Sequence, residues 1–173
     1  HNRLPGAHPT TVAAVAVAVG VSLLLLGLET WTEIRLGVSE QQSDMTVLFG
    51  LYTLAAAFIE ELIFRGFIYY DKGGKALLVL SCLAASILFA LIHPYMWQWN
   101  GDADWMNKLT FNFSTIAVIS TSFVFIKSLW YYTVRFYPLN PRHSLIPCIA
   151  AHFATNVGVF VVKAVQGHVV GLY

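Results

Sequence analysis

Ala55-Ala56-Ala57-Phe58-Ile59-Glu60-Glu61-Leu62-Ile63-Phe64-Arg65-Gly66 puts two acids and a base inside an otherwise apolar run. A charge at the centre of a bilayer helix costs about 2.5–3.5 kcal/mol on insertion scales, so three together mark a site. At about 100° per residue, Glu61 and Arg65 share a helix face and can pair, while Glu60 points about 100° away. One carboxylate is then neutralised locally and the other faces something else. A purely structural ion pair is the competing reading, but it needs one Glu, not two.

Working outward, the rest of the chain is a membrane sequence. Of 173 residues, 57% are hydrophobic and 11% are charged, against about a quarter charged in a soluble domain. The expected fold is all-α: a polytopic transmembrane helical bundle of about five spans plus a short interfacial helix. Residues 1–43 read as an N-terminal transmembrane helix with an interfacial segment, and 44–173 as a catalytic helical core. The net charge of +1 and the lack of a basic stripe argue against nucleic acid. Cys82 and Cys148 lie in apolar runs and read as inert core thiols.

The expected spans are Thr10–Leu28, Met45–Tyr70, Lys75–His93, Leu109 to about Tyr132, and Ser144 to about Val165. The first reads as a retained helix rather than a cleaved signal peptide. Between the first two spans, Trp31, Ile34 and Val38 have the spacing of an interfacial helix. Pro94 ends the third span. Tyr95 to Lys108 reads as a loop, with Trp97, Trp99 and Trp105 at a membrane surface. Pro147 suits the first turn of the fifth span.

Charge sets an expected orientation. With the N-terminus in the cytoplasm, that side receives Arg3, Lys72, Lys75, Lys127, Arg135 and Arg142, with Asp71 its one acid. The far side receives Glu29, Glu33, Glu40, Asp44, Asp102 and Asp104 against Arg35, Lys108 and Lys163. This agrees with the positive-inside rule. The expected setting is a bacterial or archaeal cell membrane.

Few other polar groups fall inside the spans. His93 closes the third, one turn after Phe89. His152 and Asn156 share one face of the fifth. At about 1.5 Å per residue, Glu60 and His152 both come out near 15 Å deep, and His93 nearer 27 Å. His93 fits the set only if the third helix starts below the surface or tilts strongly.

Glu60-Glu61-x-x-x-Arg65, then Phe89-x-x-x-His93, then His152-x-x-x-Asn156 resemble the three motifs of the CPBP (Abi) family of CAAX prenyl endopeptidases and bacteriocin-processing membrane proteins. The resemblance covers roughly Leu48 to Val162. It implies an intramembrane endopeptidase that cuts a peptide bond without a covalent intermediate. Its substrate would be a peptide or protein, lipidated or membrane-anchored, cut near its end and met within the lipid bilayer. Glu60 is the expected general base and His93 the residue that holds the water. His152 and Asn156 would donate to the developing oxyanion. Glu61 and Arg65 form the supporting pair. No cofactor is expected on this reading. The alternative is zinc held by Glu60, His93 and His152, ligand types that suit the metal, although HExxH is absent and Asn156 is a poor zinc ligand. A non-catalytic membrane scaffold or partner protein with a buried polar network is the second class of function.

Overall fold

The computed structural model describes residues 4–102 and 108–173. It holds the expected all-α bundle of α1 (Val12–Arg35), α2 (Val47–Phe67), α3 (Lys75–Ile92), α4 (Thr115–Phe136) and α5 (Ile146–Gln166). All five helices are long and apolar enough to cross a membrane. Even the shortest, α3 with 18 residues, is about 27 Å long. Large apolar side chains such as Leu24, Val79 and Val161 face outward, as lipid allows. The chain is a multi-pass membrane protein.

α4 and α5 are central. α5 packs against α1 and α2, and α4 against α1 and α3. The sequence of α1 explains its place. The Thr11 hydroxyl caps it by accepting the Ala14 N–H at 3.1 Å. Ala14, Ala18, Ser22 and Leu26 then recur every fourth residue and are buried. Small residues let helix backbones approach closely in lipid, where no hydrophobic force draws them together. Trp130 of α4 and Tyr137 just beyond it use that proximity. The Trp130 indole donates to the Ala18 carbonyl at 3.1 Å, and the Tyr137 hydroxyl donates to the Ala14 carbonyl at 2.6 Å.

α5 begins with Pro147 in its first turn and ends at Gly167, whose φ of +84° is the left-handed conformation glycine tolerates. The tail then folds back: the Met45 N–H donates to the His168 carbonyl at 2.8 Å, and the Val170 N–H to the Met45 carbonyl at 2.9 Å.

At Gly50, α2 comes so close to α5 that an added Cβ would lie 2.5 Å from the Phe160 ring. Gly50→Val is expected to force the helices apart and cost about 1–3 kcal/mol. The readout is a lower midpoint of thermal unfolding, monitored by a thiol dye reacting with the buried Cys148.

Several expectations need correction. The first span runs on to Arg35, so Trp31 and Ile34 lie on α1 and not on an interfacial helix. Beyond α1 the chain makes a single 3-10 turn, Ser39–Gln41, with Val38 buried before it. The segment expected as a loop contains β1 (Trp97–Trp99), which pairs antiparallel with β2 (Leu109–Phe111). That pairing delays the fourth helix from Leu109 to Thr115. The Trp97 indole donates to the Leu91 carbonyl at 2.6 Å and ties the hairpin to the end of α3. Arg3, Asp104 and Trp105 lie outside the described residues.

Lys127, expected among the loop charges of the cytoplasmic side, is instead buried in the bundle. It lies in mid-α4 and its Nζ is 2.8 Å from Glu29 Oε2 of α1, both side chains buried. The two residues expected on opposite sides of the membrane are therefore partners within the bundle.

The depth of His93 also resolves. The Tyr70 N–H, three residues past α2, donates at 2.9 Å to the hydroxyl of Ser81, already six residues into α3. α3 therefore starts well beyond the end of α2. The offset lowers its far end, and Phe89 meets Phe64 of α2 edge-on with ring centroids 4.9 Å apart.

Candidate active site

The three motifs lie on α2, the end of α3, and α5. Glu61 and Arg65 are on one face of α2, as the i, i+4 spacing requires, with Arg65 Nη1 3.1 Å from Glu61 Oε1. Both side chains are fully buried. Among the described residues Glu61 Oε2 and Arg65 Nε, both buried, have no hydrogen-bond partner, and the pair leans on the guanidinium's other contacts. Arg65 Nη2 donates to the Ser128 hydroxyl at 2.6 Å and to its carbonyl at 3.0 Å. The Ser128 hydroxyl in turn reaches Ser86 of α3 at 3.1 Å. The guanidinium lies 4.6 Å, 5.1 Å and 4.8 Å from the ring centres of Phe89, Tyr131 and Tyr132. Arg65 thus joins α2, α3 and α4.

His152 continues this chain. Its Nδ1 lies 2.9 Å from Glu61 Oε1. A carboxylate oxygen already paired with Arg65 is an acceptor, so the proton of that hydrogen bond sits on Nδ1. In the neutral imidazole, Nε2 is then the bare nitrogen. It faces Glu60, with Oε2 at 3.8 Å. That is beyond a direct hydrogen bond but close enough for one water to touch both groups. The ring is held by stacking on Tyr131, centroids 5.1 Å apart and planes at 25°.

Glu60 differs from Glu61 as its position predicts. Its side chain is 29% exposed, against 0% for Glu61. It is the carboxylate free to meet water.

His93 is the C-cap of α3. Its Nδ1 is 2.7 Å from the Phe89 carbonyl, so it donates there and leaves Nε2 free. Phe89 lies between the two imidazoles, with ring centroids 4.7 Å from His93 and 6.1 Å from His152. Asn156 is a turn past His152, but its amide donates to the Thr53 carbonyl of α2 at 2.9 Å. One of its two N–H groups is therefore committed to joining helices.

Both imidazoles anchor Nδ1 and free Nε2, an orientation seen in metal ligands as well as in acid–base pairs. Among the described residues, however, no three His, Cys, Asp or Glu side chains converge on a point that could hold a metal ion. The Glu60, His93 and His152 donor types suit zinc; their arrangement does not close around it.

Beside His93, a cavity of about 560 Å³ opens between α1, α4 and α5, lined also by Glu29, Glu33, Tyr95, Lys127 and Lys163. Glu60, His152 and Asn156 do not line it, so His93 is where cavity and cluster meet.

Reading the sequence missed Ser128, Tyr131 and the Glu29–Lys127 pair. Lys127 was visible as a lone charge in an apolar run, which in a membrane implies a partner. Ser128 and Tyr131 gave no such signal. Tyr131→Phe keeps the ring on His152 and removes the 3.0 Å bond to Thr155. The expected cost is about 1 kcal/mol of stability with cleavage retained, checked by unfolding and activity on one preparation.

A family model described as type II CAAX prenyl endopeptidase Rce1-like matches residues 42–158, a span that contains every residue of the cluster. No curated protein and no solved structure matches the chain.

Proposed function

This chain belongs to the type II CAAX prenyl endopeptidase Rce1-like family, and from that premise we propose how its own residues cut a peptide bond. The family makes it a membrane protease acting on protein or peptide substrates. The finer reading is a glutamic mechanism, in which Glu60 is the general base and the bond lies near the end of a lipidated or membrane-anchored substrate.

Water between Glu60 and His152 attacks the carbonyl carbon while Glu60 takes its proton. His152 Nε2, 3.8 Å from Glu60 Oε2, relays that proton. Once it carries the proton, its Nε2–H faces the developing oxyanion, joined by the second N–H of Asn156. The C–N bond then breaks and the leaving nitrogen takes the relayed proton. His93, with Nε2 free, positions the water from the cavity side. Glu61 touches no reacting atom; it holds His152 in one tautomer, and Arg65 pairs with Glu61.

The observation that carries this reading is the order Arg65, Glu61, His152, Glu60 across two helices. A structural ion pair alone has no use for an imidazole fixed with its bare nitrogen toward a part-exposed carboxylate. The test is comparison of protein termini in cells carrying the native protein or Glu60→Gln. A defined set of C-terminal segments should stay uncut in the variant. Identical termini would favour the scaffold reading.

A further inference from the structure

We propose that the Tyr95 hydroxyl is a further catalytic group: from beside His93 it donates a hydrogen bond to the oxygen of the scissile carbonyl as that oxygen becomes an oxyanion. The role rests on the hydrolase reading above and adds a donor to it.

On that reading few donors stand ready for the charge. His152 Nε2 is bare until it takes the relayed proton. Asn156 has already given one of its two N–H groups to the Thr53 carbonyl. An oxyanion is best met by donors in place before the charge develops. A neutral hydroxyl on fixed backbone is such a donor.

Tyr95 is fixed. Pro94 before it has its own φ locked by its ring, and the Tyr95 N–H donates to the His93 carbonyl at 2.8 Å. One residue on, the Met96 carbonyl accepts the Asn112 N–H at 2.9 Å and joins the segment to the far side of the hairpin. The phenol ring stacks on the His93 imidazole, with centroids 6.3 Å apart and planes 8° from parallel. Trp99 is exposed in the manner of an aromatic at a membrane interface. Tyr95 instead lines the cavity together with His93, Glu29 and Glu33.

The hydroxyl is also uncommitted. Tyr131, Tyr132 and Tyr137 give theirs to Thr155, to the Phe64 and Ile68 carbonyls, and to the Ala14 carbonyl, whereas that of Tyr95 has no partner among the described residues. The cavity is open, so the residue as a whole is 42% exposed. Protein still surrounds the hydroxyl closely: burial, then the carboxylates of Glu29, Glu33 and Glu60, push its pKa up to about 12. It therefore keeps its proton at neutral pH and meets an oxyanion as a donor. The effect of Glu60 puts the hydroxyl and the proposed base in one electrostatic neighbourhood.

The test is Tyr95→Phe, made in the full chain in lipid nanodiscs and assayed on a membrane-anchored peptide. The ring and its stacking on His93 stay, and only an unpartnered hydroxyl goes, so thermal unfolding should match that of the native protein. The expected kcat is lower by about 10²–10³-fold, the worth of one oxyanion donor, with KM nearly unchanged. A phosphinate copy of the peptide carries a tetrahedral oxyanion in place of the scissile carbonyl. Tyr95→Phe should bind it about 10²–10³-fold more weakly than the native protein does. A native kcat in Tyr95→Phe, a loss confined to KM, or a lower kcat with unchanged phosphinate affinity would each overturn the proposal. Native protein that cuts nothing would sink the hydrolase reading and the donor with it, whereas equal cutting by native protein and Tyr95→Phe would sink the donor alone.

Discussion

Glu60→Gln abolishes peptide cleavage and leaves the protein folded. The expected loss is about 10²–10⁴-fold, the worth of a positioned general base. The carboxamide is nearly the same size but has no lone pair basic enough to take a proton from water. Stability should barely change, because Glu60 is part-exposed and lies 3.8 Å from its nearest ionic neighbour. Cleavage of a membrane-anchored peptide by purified protein gives the rate, and thermal unfolding gives the control. Cleavage by Glu60→Gln at the native rate would remove Glu60 from the chemistry.

Arg65→Ala unfolds the protein or nearly so. The substitution strands the Glu61 carboxylate, fully buried, with His152 Nδ1 as its one remaining partner among the described residues. Breaking one side of a buried pair costs about 3–5 kcal/mol. It also removes both bonds to Ser128 and the ring contacts that join α2 to α3 and α4. The double change Glu61→Leu with Arg65→Met removes both charges and should recover most of the lost stability, since apolar replacement of a buried pair is often neutral. It should not recover cleavage, because His152 loses the acceptor that fixes its tautomer. Dye reaction with the buried Cys82 and Cys148 during heating reports the first effect, and the peptide assay the second. A double variant as unstable as Arg65→Ala would mean that the ion pair itself organises the bundle.

Much of the site was legible because charges are costly in apolar runs. Glu60, Glu61 and Arg65 stood out for that reason, and helical spacing alone separated the paired acid from the free one. His93 and His152 stood out likewise. The bond from His152 to Glu61 was not legible, because α5 could have met α2 in any rotation. Asn156 illustrates the same limit: its spacing put it beside His152, and only the packing showed its amide committed to Thr53. Lys127 was misplaced because a charge count treats every lysine as a loop residue, whereas Glu29 on α1 holds this one inside the bundle. The β1–β2 hairpin escaped because its strands are three residues each, too short for a period to show.

The most direct measurement is cleavage of a membrane-anchored peptide by native protein stripped with chelator and assayed for bound metal. If a carboxylate activates the water, the metal-free protein cuts at its full rate and added zinc changes nothing. Activity that vanishes with the metal and returns with zinc would contradict a glutamic mechanism and make Glu60, His93 and His152 ligands.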